Sequence, residues 1–434
     1  MATLGFMIFI MLLFISVALK ISIILPLVLG MFIFAFIAYK EGNSIKSIVS
    51  MMLDGTKKAG IVLELFVFIG ALTGIWRACG TLPYIVYYGI SLIKPHVFLV
   101  FAFLLSAAVS YTIGSCFATV GTVGVILAVL SKAGGVNIAF TAGAAISGAC
   151  FGDRTSPVSS CANLIAAITD TGIYENVKNM LKSAAVPMAI TFLFFIALSY
   201  IFPISSVGKN TVDGIEFFSL TPLLLIPAAA VLLLTMLKIN IKMSMFISIL
   251  ISCMLAVAVQ KMTVYNVVKT LIFGFQVENG SEFIKAVEGG GVISMLKPAV
   301  IVFISSTYSG IFEKTDMLDG FEKKLKNICK KHSAFSVMFF VSLFSSCFTC
   351  NQTLTVMTSK QLLSPVYNGK KIENKKLALD ISNSAVTLCG LVPWNIACAV
   401  PLAAMEADIS ALPFCVLLYM IPVCSLINSR LMKG

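Results

Sequence analysis

A carboxylate and a guanidinium stand side by side in an apolar stretch of this sequence. Asp153 and Arg154 interrupt residues 138–168, which are otherwise mostly small or apolar. Charged side chains within a lipid bilayer cost about 2.5–3.5 kcal/mol each on insertion scales, so they mark ion pathways or pair with a partner. Either the carboxylate binds a sodium ion or exchanges a proton, or the two charges form a structural ion pair. Further oxygens follow in Ser156, Ser159 and Asn163.

Uncharged polar side chains interrupt three other apolar stretches. Hydroxyl and amide oxygens suit a sodium ion or a polar solute because they add no fixed charge, although hydrogen bonding between helices explains each one about as well. The candidates for an ion or substrate site are Ser115 in 97–131, Asn351, Gln352 and Thr355 in 334–363, and Asn383, Ser384, Thr387 and Asn395 in 377–402.

Two breaks in predicted helices accompany these residues. Residues 152–157 end in Pro157, and residues 390–395 include Pro393. Backbone that leaves a helix at membrane depth is tolerated only where it is buried in protein or lines a wet cavity. Both stretches are therefore predicted to be broken helices beside a cavity.

The sequence contains two tryptophans, Trp76 and Trp394. Tryptophan is common at membrane–water interfaces, so Trp76 is expected in an interfacial belt. Trp394 lies in the second break and is expected to shape a gate there.

Composition identifies the elements that must position these side chains. Of 434 residues, 59% are hydrophobic and 12% are charged, and soluble domains have about 25% charged residues. The chain is thus predicted to be an all-α polytopic membrane protein, with about 10 spans plus 2 hairpins. A span needs about 20 apolar residues, and simple candidates are 4–19, 21–39, 60–76, 183–202, 219–237, 244–260, 294–312 and 412–429.

Two further apolar stretches, 97–131 and 334–363, each have a polar interruption in the middle. The interruptions lie at residues 112–115 and 349–352. Each stretch is long enough for two spans or for one re-entrant hairpin. We expect hairpins that enter from opposite membrane faces.

The chain contains an internal repeat. Gly74-Ile75-Trp76 resembles Gly310-Ile311-Phe312 at an offset of 236, and Pro157 matches Pro393 at the same offset. The stretch from His96 to Thr112 aligns with Ser333 to Thr349 at an offset of 237. The repeat predicts the divisions 1–59 (N-terminal spans and loop), 60–182 (first repeat), 183–293 (linking spans), 294–411 (second repeat) and 412–434 (C-terminal span and tail).

Charge predicts that the two repeats are inverted. A basic loop, 40–58, precedes the first repeat, whereas basic residues follow the corresponding span of the second repeat in 313–332 and 370–376. Because basic loops stay in the cytoplasm, these three loops and both termini are expected there. Inverted repeats are typical of secondary transporters, whose sites lie where discontinuous helices of both repeats meet near the bilayer midplane. We therefore expect Asp153 on the first broken helix to approach Asn395 or Asn383 of the second.

Other classes of protein fit poorly. The net charge of +12 is scattered among loops and forms no nucleic-acid patch, and most of the 12 cysteines lie in apolar runs without metal-ligand spacing. No catalytic constellation or phosphate loop is present in the sequence, so no enzyme and no cofactor is expected. A channel would need a continuous polar path, which the apolar flanks of both breaks argue against.

Several motifs resemble the NhaC-type sodium/proton antiporter family over about residues 55–408. They are Gly74–Pro83, Tyr87-Tyr88-Gly89, Gly121–Gly124, Ser147–Arg154 and Val392–Asn395. The resemblance implies two inverted repeats, each with a re-entrant hairpin and an interrupted helix, and a homodimer in the plasma membrane. It also implies exchange of sodium for protons, or of both with small organic anions, while some relatives move amino acids.

The chain departs from the expected family pattern at two places. Ser160 replaces an expected carboxylate, and Ser382-Asn383-Ser384 stands where Glu-Asp-Ser is expected. Asp153 is then the one clear carboxylate in these motifs. Sodium/proton antiport is the expected function, and ion-coupled transport of an organic acid or amino acid is the alternative.

Overall fold

The chain is helical throughout the part that the computed structural model describes. That part comprises residues 2–19, 21–92, 94–204, 215–277, 281–315 and 333–431. Within these ranges the pairing of extended backbone is limited to a single bridge between Phe275 and Gly289. The expectation of an all-α fold is confirmed.

Ten helices form the first part of the chain. Two of them, Cys116–Thr119 and Val125–Ala133, are joined by a π-helical turn at Val120–Gly124. The helices are α1 (Ala2–Ala18), α2 (Ile24–Lys40), α3 (Ile45–Ala78), α4 (Thr81–Leu92), α5 (Phe98–Ile113), α6 (Cys116–Thr119), α7 (Val125–Ala133), α8 (Ile138–Thr155), α9 (Ser160–Thr169) and α10 (Ile173–Ile201).

Ten more helices follow within the described ranges. The basic loop 313–332, which the sequence assigns to the cytoplasm, lies mostly outside them. The helices are α11 (Ile226–Met236), α12 (Ile241–Ala258), α13 (Val264–Phe273), α14 (Glu282–Val287), α15 (Leu296–Lys314), α16 (Ala334–Thr349), α17 (Gln352–Gly369), α18 (Asn374–Cys389), α19 (Ile396–Ala404) and α20 (Val416–Leu431).

Six helical segments among the described residues are long and apolar enough to cross a membrane. They are Ala59–Ala78, Pro95–Ile113, Cys116–Ala133, Ile173–Ile201, Ile241–Ala258 and Val292–Phe312. Shorter apolar helices accompany them, among them α2, α16 and residues 416–429 of α20. The chain is a polytopic membrane protein, and the hairpins within 97–131 and 334–363 stay predictions.

Helix boundaries recur at a constant offset along the chain. α5 and α16 begin at Phe98 and Ala334, an offset of 236 (334 − 98), and their last residues have the same offset. The first residues of α9 and α19, Ser160 and Ile396, repeat the offset of 236 (396 − 160). α5 and α16 both have 16 residues, whereas α9 has 10 and α19 has 9. The common offset agrees with the predicted repeat.

Left-handed backbone follows the same spacing. Gly114 and Cys350 have φ angles of 75° and 51°, and Asp170 and Glu406 have φ angles of 53° and 52°. Such residues commonly end helices because they redirect the chain after the last turn. The offset of 236 corrects the sequence alignment of the two polar interruptions, which used an offset of 237. In the corrected register Ser115 corresponds to Asn351.

Both predicted breaks are present, but the first is shorter than the sequence suggested. α8 continues to Thr155, so Asp153 lies in its last turn and not in unwound backbone. The break comprises residues 156–159, and the second break comprises residues 390–395.

Glycines allow two pairs of helices to pack closely. A Cβ atom added to Gly152 of α8 would lie 2.2 Å from the backbone nitrogen of Tyr111 in α5. A Cβ atom on Gly55 of α3 would lie 2.1 Å from the carbonyl oxygen of Ser306 in α15. Backbone contact at both places fixes α5 against α8 and α3 against α15.

Candidate functional site

A small cavity lies between the two broken helices. Residues from both halves of the chain line it, so its shape depends on how the two halves pack. The lining residues are Cys116, Phe117, Cys150 and Asp153 from the first half, and Gln352, Val386, Thr387, Gly390 and Ala397 from the second.

Asp153 carries the single carboxylate of this lining. The Ser159 hydroxyl, across the break, donates a hydrogen bond to Asp153 Oδ1 at 3.0 Å. The same hydroxyl accepts hydrogen bonds from the backbone N–H groups of Cys161 and Ala162 and so caps α9. Ser159 thereby ties the position of the carboxylate to the start of the second half of the broken helix.

Arg154 lies on a different side of α8 and is 1% exposed. Its Nε donates to the carbonyl oxygen of Ser382 at 3.1 Å, and its Nη2 donates to Ser183 Oγ at 2.9 Å and to Asn383 Oδ1. Asn383 in turn donates to Ser425 Oγ at 2.9 Å. The two adjacent charges therefore diverge, with Asp153 at the cavity and Arg154 joining α8 to α10 and α18.

The sequence predicted that Asp153 would approach Asn383 or Asn395. The structure brings Arg154 onto Asn383 instead. Asn395 donates to the carbonyl oxygen of Ser346 at 2.9 Å and accepts from the Ala397 backbone N–H. Of the candidates in the second half, Gln352 and Thr387 are the ones that share the cavity with Asp153.

Four candidate residues cap helices that start at an interruption. Ser115 caps α6 and Asn351 caps α17, while Ser159 caps α9 and Asn395 caps α19. Their side-chain oxygens accept from backbone N–H groups that the first turn of a helix leaves without partners. Each pair of caps keeps the offset of 236, so the polar spacing seen in the sequence reflects a repeated structural role.

The remaining polar candidates are held by local hydrogen bonds. Ser156 accepts from the Val158 backbone N–H at 3.3 Å, and the exposed Asn163 donates to the Pro157 carbonyl oxygen at 2.9 Å. Ser384 donates to the Asp380 carbonyl oxygen at 2.6 Å.

Thr355 pairs with Thr349 at 2.6 Å between their hydroxyl oxygens. Thr349 and Asn351 line a second small cavity beside α3 and α15. Thr355 is fully buried and is not among the residues that line the cavity containing Asp153.

Trp76 lies inside the protein and not on the outer surface, where the residues of an interfacial belt lie. The side chain is fully buried, and its Nε1 donates to Ser248 Oγ of α12 at 3.0 Å. A nearby hydroxyl inside the protein satisfies the indole N–H, so the ring needs no contact with water. Trp394 is also buried, and its Nε1 donates to the Cys347 carbonyl oxygen at 2.8 Å, which fixes the second break beside Pro393 to the end of α16.

Two groups of charged residues escaped the sequence analysis. Asp380 is buried in α18, accepts from Tyr367 Oη at 2.8 Å and pairs with Lys376 Nζ at 2.5 Å. The spacing of Lys376 and Asp380, four residues apart on one helix, was the signal that could have revealed this pair. Arg77 and Glu406 form a second pair, and their distance along the chain leaves no signal in the sequence.

Comparison with known proteins places the whole arrangement in one family. The model of the Na⁺/H⁺ antiporter family matches residues 148–428, which include Asp153 and both breaks. The chain is 27% identical over 412 residues to the Na⁺/H⁺ antiporter NhaC of Bacillus subtilis (strain 168), covering 93% of this chain and 91% of the relative.

Two other relatives align over similar lengths. The Na⁺/H⁺ antiporter NhaC of Alkalihalophilus pseudofirmus is 27% identical over 436 residues, covering 96% of this chain and 92% of the relative. The malate-2H⁺/Na⁺-lactate antiporter of Bacillus subtilis (strain 168) is 26% identical over 389 residues, covering 86% and 82%. With a family model that matches more than half of its length, the chain belongs to the Na⁺/H⁺ antiporter family.

Proposed function

We propose that this protein is a secondary active transporter of the plasma membrane that exchanges sodium ions for protons at the cavity containing Asp153. The observation that carries the proposal is the position of one carboxylate in a cavity lined by both halves of the chain. Intramembrane carboxylates that face a cavity are typical of ion and proton pathways.

The proposal includes an inverted repeat with cytoplasmic termini. Support comes from the constant offset of 236 between equivalent helices and from the reversed distribution of basic loops. Cys116 and Gln352 are equivalent in this register, as are Cys150 and Val386, and all four line the same cavity. Equivalent residues meet at one place when a two-fold axis passes close to it, so the cavity is expected near the midplane.

Exchange results because a proton and a sodium ion compete for the same carboxylate, that of Asp153. The Asp153 carboxylate holds either a proton or a sodium ion, while Gln352 and Thr387 offer uncharged oxygens on the opposite side of the cavity. Among the described residues no group of three or more His, Cys, Asp or Glu is arranged to hold a metal ion. A transported cation must bind weakly enough to leave again, so one charge with several neutral oxygens suits it better than a cluster of charged ligands.

The alternative is exchange that includes a small organic solute. The similarity to an antiporter named for malate and lactate supports it. The charge of the cavity opposes an organic anion, because its described lining contains Asp153 and no basic side chain. Arg154 cannot supply the missing charge, since it is buried and occupied by Ser382, Ser183 and Asn383.

Uptake of radioactive sodium into proteoliposomes tests the function. We expect an outward proton gradient to drive uptake by the wild-type protein, and Asp153→Asn to abolish it, because the amide keeps the shape but removes the charge. Asp170→Asn is the matched control, since Asp170 is exposed and asparagine tolerates its left-handed backbone. Wild-type rates in Asp153→Asn would refute the proposed site.

Two further measurements complete the test. Uptake that occurs only with malate, lactate or an amino acid on the opposite side would favour the organic solute. Mass photometry in detergent micelles would test the expected homodimer.

A further inference from the structure

The cavity that contains Asp153 also contains two thiols in contact with each other. Cys116 is the first residue of α6, just after the interruption at Gly114 and Ser115, and Cys150 lies on α8. Their Sγ atoms are 3.5 Å apart, and these are the two cysteines of the cavity lining. Both are free thiols. Cys150 precedes Asp153 by three residues, so the thiol and the carboxylate lie on the same face of α8.

Sodium/proton exchange makes no use of these sulfurs. Sodium is a hard cation that prefers oxygen ligands, whereas thiolate sulfur is a soft ligand that selects ions such as Cu⁺. A structural zinc ion needs four ligands in a tetrahedron, and the described residues contain no cluster of three or more suitable side chains. Two sulfurs are enough for the monovalent soft cations Ag⁺ and Cu⁺, which accept two ligands in a line.

We propose that Cys116 and Cys150 form a binding site for one soft monovalent cation, and that its occupation stops exchange. Both thiols release their protons to water as two sulfur–metal bonds form, and the metal keeps its +1 charge, so no oxidant or reductant is needed. The sulfurs move apart slightly to admit the ion between them.

Occupation has two consequences for transport. The metal joins α6 to α8 across the interruption after α5, and it fills the cavity beside Asp153. Two parts of the inference rest on the proposed function: the route by which a monovalent cation reaches the thiols, and the inhibition of exchange. Binding itself depends only on the pair of sulfurs.

The binding test counts silver ions on the purified protein. Ag⁺ is added in chloride-free nitrate buffer, excess ion is removed by gel filtration, and bound silver per chain is measured by inductively coupled plasma mass spectrometry. The chain has twelve cysteines, so the decisive quantity is a difference between variants. We expect Cys116→Ser, Cys150→Ser and the double variant each to lose the same single ion, because two sulfurs share one metal.

Two results would overturn the proposal. Losses that add in the double variant would mean two independent thiols, and an unchanged silver count in both single variants would mean no site. Size-exclusion chromatography establishes that each variant is folded, and Cys150→Ala replaces Cys150→Ser if the serine variant aggregates.

The transport test measures sodium uptake at increasing Ag⁺ concentration. The Ag⁺ concentration that inhibits Cys116→Ser should be at least about tenfold higher than the concentration that inhibits the wild type, because losing the groups that support a metal site weakens its affinity by that order. Cys424→Ser, on α20 away from the cavity lining, should be inhibited like the wild type. Equal sensitivity of all three proteins would refute the inhibitory role. Absence of wild-type uptake would refute the proposed function, and the silver count would then decide the binding site by itself.

Discussion

Arg77 Nη2 lies 2.7 Å from Glu406 Oε1, although the two residues come from opposite halves of the chain. Arg77 is in the last turn of α3 with 2% of its side chain exposed, and Glu406 lies in the turn after α19 with 22% exposed. Lys132 from the last turn of α7 contacts the other carboxylate oxygen. One carboxylate thus connects the ends of α3 and α7 to the turn after α19, the second half of the second broken helix.

Removing the charge of Glu406 should destabilise the fold. Glu406→Gln leaves Arg77 buried without a counter-charge, and breaking a buried pair in this way costs about 3–5 kcal/mol. Lys132→Gln is the control, because Lys132 is 31% exposed and a pair of this kind contributes about 0–1 kcal/mol. Thermal unfolding in detergent measures both, and equal losses of stability would contradict the assignment of Arg77 as the dominant partner.

The same carboxylate should make stability depend on pH. Burial raises the pKa of Glu406, but the charges of Arg77 and Lys132 outweigh burial and hold the pKa below the ordinary value of 4.5. A lowered pKa stabilises the folded state above the ordinary value, and this stabilisation is lost as the pH falls through the folded-state pKa. The melting temperature of the wild type should therefore fall more steeply below about pH 4.5 than that of Glu406→Gln, and parallel curves would argue against it.

A carboxylate opposite Arg154 should stabilise the protein. Asn383→Asp would give the buried guanidinium a charged partner at a position where it already accepts a hydrogen bond. Hydrogen bonds to charged groups contribute about 1.5–3 kcal/mol, so the melting temperature should rise. Asn383→Ala, which removes the acceptor, should lower it. A lower melting temperature for Asn383→Asp than for Asn383→Ala would show that Arg154 needs no counter-charge.

The close contact of α5 and α8 should tolerate no side chain at Gly152. In Gly152→Ala the new Cβ atom would meet the backbone of Ser110 and Tyr111 at 2.3 Å and 2.2 Å, so the helices must separate. Overpacking of this kind costs about 1–3 kcal/mol. Gly60→Ala on α3 is the control, because its Cβ atom would have no neighbour within 4 Å and alanine favours the helix. Equal stability of both variants would contradict the predicted contact.

The sequence by itself determined the class of protein and the existence of both breaks. A long apolar run in a bilayer forms a helix because the helix satisfies the hydrogen bonds of its own backbone. Pro157 and Pro393 marked two interruptions that the structure contains. The spacing of the predicted repeat was also readable to within one residue, because polar capping residues recur at it. The exact register of the repeat was not readable from the sequence. The choice between offsets of 236 and 237 around Ser115 and Asn351 depends on the helix ends and φ angles, which only the structure gives.

Tertiary structure alone decided where each polar side chain points. Asp153 and Arg154 are neighbours in sequence, yet successive residues on a helix point about 100° apart, so one reached the cavity and the other reached Asn383. The hydrogen bond between Trp76 and Ser248 and the ion pair between Arg77 and Glu406 both join segments that are far apart in the chain. Periodicity and composition record which residues share a helix face, but a partner on another helix depends on how the helices pack.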